Sequence, residues 1–464
     1  MAFDVALNLP FPVCRDRMQV FCAGNSLLTE ITFRSRRPSA LPEDSLAYTL
    51  VRSAEVLAAV IRGRNLDRAL VSASLPAERR PAVLDVCYGT LRDYGRGDFF
   101  LGALLDKTLK DVAVRGLLLV SLHLLERNAG NDHTVVDQAV TAAGVLSEGR
   151  LRGLVNGILR NFLRRRNELQ ALADADLVAS GRHPVWWLNL LRQAYPEQWS
   201  EIVAAGNSHP PMALRVNLRR VTQTDYQAEL AEVGVGTTVV GNVGLLLHKP
   251  VAVDRLPNFF DGFASVQDLG AQRAAFLLNT ASGMRVLDAC AAPGGKTAHV
   301  LECCSELDLL ALDAEPMRAA RIGENLDRLG LFARIQAADC RSVSDWWDGQ
   351  PFDRILADVP CSASGVVRRH PDAKWLRQPK DVAGFATTQR EILDALWPVL
   401  APGGKMLYCT CSVFPEENGR QIAAFLERHS DAERILIEGQ PELQLLPNID
   451  HDGFYFALLH KRVL

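Results

Sequence analysis

Four short apolar segments in the C-terminal part of the chain, residues 285–289, 307–312, 354–357 and 405–409, are separated by stretches with helical spacing. Runs of that length are strand-sized, and strands alternating with helices call for a parallel sheet covered on both faces. This pattern constrains everything after about residue 263 to a doubly wound α/β domain. It also predicts where chemistry has to occur, because ligands of such sheets bind beyond the carboxyl ends of the strands.

The rest of the chain has other periods. At 464 residues it is too long for one ordinary core, so two or three domains are expected. Residues 1–43 contain Pro10, Pro12, Pro38 and Pro42 and a basic patch at Arg34, Arg36 and Arg37, and read as an irregular leader. Residues 44–170 are dominated by helical periodicity: Val51, Ala54, Leu57, Ala58 and Ile61, then Val83, Val86 and Leu91, then Leu154, Val155, Ile158, Leu159 and Phe162. Residues 171–262 mix a Trp-containing helical connector with three short strands near residues 214–218, 237–240 and 245–248, the mark of a small α+β module. Residues 263–464 form the α/β domain, expected to carry a seven-stranded mixed sheet.

Composition excludes several classes. The chain is 48% hydrophobic and 23% charged with a formal charge of −3, which is soluble globular usage. Lys and Arg exceed Asp and Glu in the first 170 residues, and the reverse holds afterwards. That split permits a basic, RNA-facing front half without demanding one. The ten cysteines are scattered and show no paired CxxC spacing, so they suit a reducing compartment and predict no metal site. No secretory leader pattern and no apolar run of about 18 residues is found, so a cytoplasmic protein is expected.

The motifs cluster at the predicted strand ends. Residues 288–297 read DACAAPGGKT, an acidic strand end followed by a Gly-Gly loop and a helix. Gly lets the backbone approach a ligand closely. Cys290 stands where a phosphate-binding loop has its first Gly, and GxGxxG is absent, so a cationic, phosphate-free ligand suits the loop better than a nucleoside triphosphate. The next strand ends at Asp313, placed to accept both ribose hydroxyls of an adenosine. Asp339, after the following short strand, is within reach of the adenine edge. Three such acids at successive strand ends favour S-adenosylmethionine over a nicotinamide or flavin.

Two cysteine motifs follow, DVPCSASG at residues 358–365 and CTCSVFPEEN at residues 409–418. A lone Cys after an apolar strand is usually a small buried hydrophobe, but two at adjacent strand ends beside a cofactor loop suit methylation of cytosine at C5. That ring carbon is a poor nucleophile until a thiolate adds to C6; C5 can then attack the sulfonium methyl, after which a base removes the C5 proton and the thiolate leaves. Enzymes that methylate exocyclic amines need no thiolate and commonly carry an Asp/Asn-Pro-Pro-aromatic tetrad, which the stretch from Asp358 to Cys361 does not match. Residue chemistry alone leaves open which cysteine attacks.

These stretches resemble the RNA cytosine-C5 methyltransferase family. The likeness rests on DACAAPGGKT, PCSxxG, RRHPD at 368–372, Lys374-Trp375 and TCSVFPEEN, and extends to GFASVQD at 262–268 and DGFYF at 452–456. The helical part resembles a NusB-type RNA-binding domain, including VNGILRNFLR at 155–164. Together they resemble the bacterial small-subunit ribosomal RNA methyltransferases of the Sun/Fmu type, over about residue 50 to the C-terminus. Val359, Ser364 and the QDLGAQ form of residues 267–272 depart from the family's more usual residues without touching the reactive groups.

The resemblance implies a set of roles. Cys411 becomes the nucleophile, and Cys361 assists product release or proton removal. Asp358 holds cytosine N3 or N4, and Lys296 contacts the cofactor and the catalytic region or orients Asp358 by a salt bridge. S-adenosylmethionine would be cradled by Asp288, Cys290, Ala291, Ala292, Pro293, Gly294, Gly295 and Lys296, with Asp313, Arg318, Asp339 and Asp358 completing its site. The partner would be small-subunit ribosomal RNA, free or in an assembly intermediate, bound by a monomer. Arg160, Arg164, Arg165, Arg166, Arg368 and Arg369 are the candidates for RNA-backbone contacts. A non-catalytic RNA-binding or assembly factor, and a methyltransferase acting on another RNA, a protein or a small molecule, are the competing readings.

Overall fold

The computed structural model describes residues 41–463 apart from residues 128, 129 and 305. Most of the expected irregular leader lies outside the described residues. The chain divides into two compact units near residue 180.

The first unit is all helical. Ser45 caps its first helix, Leu46–Ile61, by accepting a hydrogen bond from the Tyr48 amide, which satisfies one of the orphan donors of a helix start. Leu50, Val51, Ala54 and Leu57 of this helix are fully buried. It crosses the helix Val112–Arg127 closely at Gly116, where a Cβ would come within 2.7 Å of the Ala54 carbonyl oxygen. The helix Asp132–Leu146 follows, and Arg152–Arg164 buries Val155, Ile158, Leu159 and Phe162. Leu154, expected on that apolar side, is exposed at its edge.

The second unit opens with two connector helices, Val185–Ala194 and Trp199–Asn207. A four-stranded antiparallel sheet follows, made of β1 (Ala213–Val216), β2 (Thr237–Val240), β3 (Gly244–Leu247) and β4 (Ala264–Val266) in the order β2-β3-β1-β4. With the helix Gln223–Glu232 it encloses a core of Leu214, Val216, Tyr226, Leu230, Leu245 and Leu247. The expectation closed this module at residue 262. Pairing of β4 with the free edge of β1, with Leu214 opposite Val266, carries it to residue 266.

The large sheet comprises β5 (Arg285–Asp288), β6 (Asp308–Asp313), β7 (Arg334–Ala337), β8 (Phe352–Asp358), β9 (Leu400–Thr410), β10 (Ala432–Ile435), β11 (Leu443–Leu445) and β12 (Phe454–Lys461). Seven strands lie side by side in the order β10-β12-β9-β8-β5-β6-β7, and the short β11 pairs with β12. Strands β5 to β9 are mutually parallel, while β12 runs antiparallel to β9, so the sheet is mixed. Leu287, Ile355, Ala357, Met406 and Tyr408 are fully buried within its core. The chain order reverses between β5 and β8, which makes their carboxyl ends the switch point where such sheets bind ligands.

Candidate active site

Asp288 ends β5 and Asp358 ends β8, on adjacent strands at that switch point. After Asp288 the chain turns through residues 289–294 into the helix Gly295–Cys303. Gly294 makes the turn possible: its φ of +94° is a left-handed conformation, and a Cβ there would sit 3.2 Å from Ile322. The loop is held from the side of β6. Asp313 accepts hydrogen bonds from the amides of Ala292 (3.3 Å) and Glu315 (3.1 Å) and lies 3.4 Å from Arg318, while Arg318 donates to the Ala292 carbonyl (3.1 Å).

Asp288 is buried, and its Oδ2 accepts a 2.6 Å hydrogen bond from the Thr297 hydroxyl. Its Oδ1 is buried without a hydrogen-bond partner among the described residues. Burial pushes this carboxyl up to about 7 against the Thr297 hydrogen bond, and the Asp358 charge adds to the rise. A buried carboxylate oxygen without a hydrogen-bond partner at the start of the glycine turn suits a ligand that brings a cationic or hydrogen-bond-donating group. S-adenosylmethionine, with its ammonium and sulfonium, fits that requirement.

Lys296, on the first turn of the same helix, donates to Asp358 Oδ2 at 2.5 Å. Burial disfavours its ammonium, but the Asp358 carboxylate and Cys409 outweigh that and hold its pKa above the ordinary range. Asp358 Oδ1 in turn accepts from the Cys409 thiol at 3.4 Å.

The two cysteine motifs meet beyond these carboxylates. Cys361 follows β8 and Cys411 follows β9, and their Sγ atoms are 3.3 Å apart. The Gly365 amide donates to the Cys411 carbonyl at 2.8 Å, tying one turn to the other. Cys361 is buried and Cys411 is partly exposed. Hydrogen bonding to Cys411, together with burial, pushes the Cys361 thiol well above the usual range. A pair of thiols beside an ion-paired carboxylate and a cofactor-type loop can add to and leave a flat electrophilic ring.

Comparison with known proteins gives the arrangement its family. Residues 275–460 match the 16S rRNA methyltransferase RsmB/F family, residues 183–254 the ferredoxin-like domain of RsmF/B-like methyltransferases, and residues 49–164 the NusB family. The ribosomal RNA small subunit methyltransferase B of Vibrio cholerae is 45% identical over 408 residues, covering 86% of this chain and 94% of that relative. The chain belongs to the ribosomal RNA small subunit methyltransferase B family. The Pseudomonas putida member is 43% identical over 428 residues, covering 88% of this chain and 97% of its own length. The crystal structure of PH0851 has the same fold, with a TM-score of 0.75 at 22% identity over 89% of this chain and 99% of that one. A methyltransferase homolog from Pyrococcus horikoshii shares it over 61% of this chain and 97% of its own, with a TM-score of 0.55 at 24% identity.

Within this methyltransferase B fold, other residues singled out from the sequence are placed differently. Asp339 is spread over Arg341, 2.7 Å away, in a half-exposed ion pair. Arg368 leaves the set of RNA-backbone candidates, because it is buried and paired with the equally buried Asp452. Arg369 is also committed: its guanidinium meets Asp452, Asp268 (3.0 Å) and the Pro211 carbonyl (3.0 Å). A buried guanidinium needs such partners to offset its lost hydration, and this pair serves to join residues 452, 268 and 211. Arg165 is paired with Glu168 and Arg166 with Asp132, each at 2.7 Å, whereas Arg160 and Arg164 are exposed and, among the described residues, bond to Asn156 and Asn161 of their own helix.

Two buried residues escaped sequence reading. Arg215 of β1 is fully buried, makes a bidentate pair with Glu302 (2.7 and 2.8 Å) and donates to the Gly295 carbonyl (2.9 Å), anchoring the cofactor-loop helix to the small sheet. Glu417 is fully buried beneath the two cysteine turns. The PEEN segment contained it, but nothing in the sequence separates it from the neighbouring Glu416.

Proposed function

We propose that this protein methylates C5 of a cytosine in small-subunit ribosomal RNA, free or in an assembly intermediate, through a covalent bond between Cys411 and cytosine C6. The proximity of the Cys361 and Cys411 thiols at the ends of two parallel strands carries this reading. S-adenosylmethionine, held between residues 288–296 and Asp313, supplies the electrophilic methyl group when bound. The target base has to leave its stack to reach the thiols.

Cys411, the more exposed thiol, adds as thiolate to C6, and the displaced ring electrons make C5 nucleophilic. Asp358, fixed by the 2.5 Å ion pair with Lys296, holds the N3 or N4 edge of the ring. Once C5 carries the methyl group, a base at the site takes the C5 proton, the electron pair of that C–H bond returns to the ring, the S–C6 bond breaks and the Cys411 thiolate leaves. Cys361, 3.3 Å away, assists this release. The protein acts as a monomer in the reducing cytoplasm, where both thiols stay free.

Bisulfite mapping of small-subunit RNA incubated with the purified protein and S-adenosylmethionine tests the reading. One new protected cytosine is expected. Methyl incorporation at adenine, guanine or an exocyclic amine, with no protected cytosine, overturns it.

A further inference from the structure

The turns that carry Cys361 and Cys411 come from different strands, and a buried carboxylate joins them. Glu417 Oε1 accepts the Ser362 amide at 2.7 Å and the Gln389 side-chain amide at 3.2 Å. Its Oε2 accepts the hydroxyls of Ser362 and Ser412, each at 2.5 Å. Ser362 follows Cys361 directly and Ser412 follows Cys411 directly. Ser364 extends the connection, 2.9 Å from the Ser412 hydroxyl and accepting the Val413 amide at 2.9 Å. Four donors converge on one carboxylate, which is the acceptor-only pattern of an ionised acid, with the short distances of charge-assisted bonds. Burial pushes the Glu417 carboxyl up, and the Ser362 and Ser412 hydrogen bonds oppose that rise.

We propose that Glu417 is a positioning residue for the paired-thiol site: it clamps the turns behind both cysteines. The charge of the same carboxylate also opposes ionisation of the neighbouring Cys361. The proposal rests on the two-thiol reading of the function. The titratable groups facing Cys361 are Cys411, Glu417 and Tyr408. Of these, Glu417 has the hydrogen-bond pattern of a carboxylate, and its Coulombic push adds to the rise that the Cys411 hydrogen bond and burial impose on Cys361, in a site where water does little to screen it. The carboxylate bonds the serine that follows each cysteine, and the Ser362 amide adds one further bond on the Cys361 side. Two adjacent thiolates would repel each other and leave no proton at the site, so assigning the charge to one thiol is chemically useful when the leaving step needs a neutral neighbour.

The test is the Glu417→Gln variant of the full chain, read in two ways. In the absence of RNA and cofactor, a small methanethiosulfonate reagent is applied across pH 6–10 and modification of each cysteine peptide is quantified by mass spectrometry. The Cys361 profile should move to lower pH by about one unit, roughly a tenfold faster reaction at neutral pH, with the Cys411 profile moving less. In the methyl-transfer assay kcat should fall at least about tenfold with KM for RNA nearly unchanged. Ser412→Ala, which keeps the carboxylate and removes one donor, is the companion variant. It should lower kcat while leaving the Cys361 profile in place, and it keeps the test alive should Glu417→Gln lose its fold. A Glu417→Gln protein with the wild-type Cys361 profile, or a Ser412→Ala protein with wild-type kcat, overturns the proposal. The thiol readout needs no methyl transfer, so it is separate from failure of the functional reading, which an active Cys411→Ala protein would reveal.

Discussion

Cys361 and Cys411 are 50 residues apart in sequence and their Sγ atoms are 3.3 Å apart in space, each just past the end of a parallel strand. Strand pairing sets that distance, because β8 and β9 keep Asp358 in register with Cys409, so the residues following each meet on one side of the sheet. If Cys411 forms the bond to the base and Cys361 helps to undo it, the two alanine variants have different phenotypes. Cys411→Ala is expected to abolish tritiated-methyl transfer, a loss of at least about 10⁴-fold for a nucleophile, while S-adenosylmethionine still binds. Cys361→Ala is expected to accumulate a slow-migrating protein–RNA adduct on denaturing gels. The same adduct with Cys411→Ala would reverse the assignment.

The Asp288 carboxyl, pushed up to about 7 by burial, predicts a pH dependence with a definite sign. In the unfolded chain it titrates near 4, so between about pH 4 and 7 the folded state holds a proton that the unfolded state has lost. Stability of the ligand-free protein from this group is therefore greatest at low pH, falls as pH rises to about 7 and is flat above. Binding of the cationic cofactor runs the other way, strengthening as Asp288 ionises. Calorimetric titration from pH 5.5 to 8.5 should show tighter binding with rising pH in the wild type. Asp288→Asn should bind more weakly and lose that component of the slope. Parallel slopes in the two proteins would remove Asp288 from the cofactor site.

The sequence made some of this site readable and hid the rest for physical reasons. Asp288, Asp313 and Asp358 stand out because each ends a short apolar run and precedes a turn, which is local information. The membership of β4 in the small sheet was not legible because β4 gains its identity from β1, whose paired residue Leu214 lies 52 positions before Val266. Charge misled at Arg368 for the same reason. An arginine in a basic run reads as solvated, yet its partner Asp452 is 84 residues downstream. Glu416 and Glu417 are neighbours in sequence, and Ser362, brought in by another strand, singles out the second. Local patterns thus marked the strand ends, and long-range pairing decided which side chains became buried.

Gly365 offers a test of how tightly the Cys361 turn is fitted. A Cβ there would lie 2.4 Å from the Gly453 carbonyl oxygen, and the Gly453 amide already donates to the Gly365 carbonyl at 2.9 Å. Both contacts are backbone, so no flexible side chain can yield. Gly365→Ala is expected to cost about 1–3 kcal/mol in denaturant unfolding, the usual range for overpacking. Because the Gly365 amide also bonds to the Cys411 carbonyl, methyl transfer should fall well below the melting temperature too. A variant of unchanged stability and activity would mean that the two turns move apart freely.

The same reasoning from partners divides the arginines of the helical unit. Arg165 and Arg166 spend their charge on Glu168 and Asp132, and Arg166 also lies over the Phe162 ring, 5.9 Å from its centroid. Arg160 and Arg164 are exposed, and their partners among the described residues are the uncharged Asn156 and Asn161 of their own helix, so their charge is available to RNA phosphates. Each phosphate contact contributes roughly 0.7–0.9 to the slope of log K against log salt. The double variant Arg160→Gln/Arg164→Gln is therefore expected to reduce that slope by roughly 1.5 and to weaken binding at low salt. Arg165→Gln should change it little. Neither substitution should shift unfolding by more than about 0.5 kcal/mol, since these side chains lie on the surface. Filter binding of small-subunit RNA over a salt series measures the slope. If it stays at the wild-type value in the double variant, RNA meets this protein through some other face.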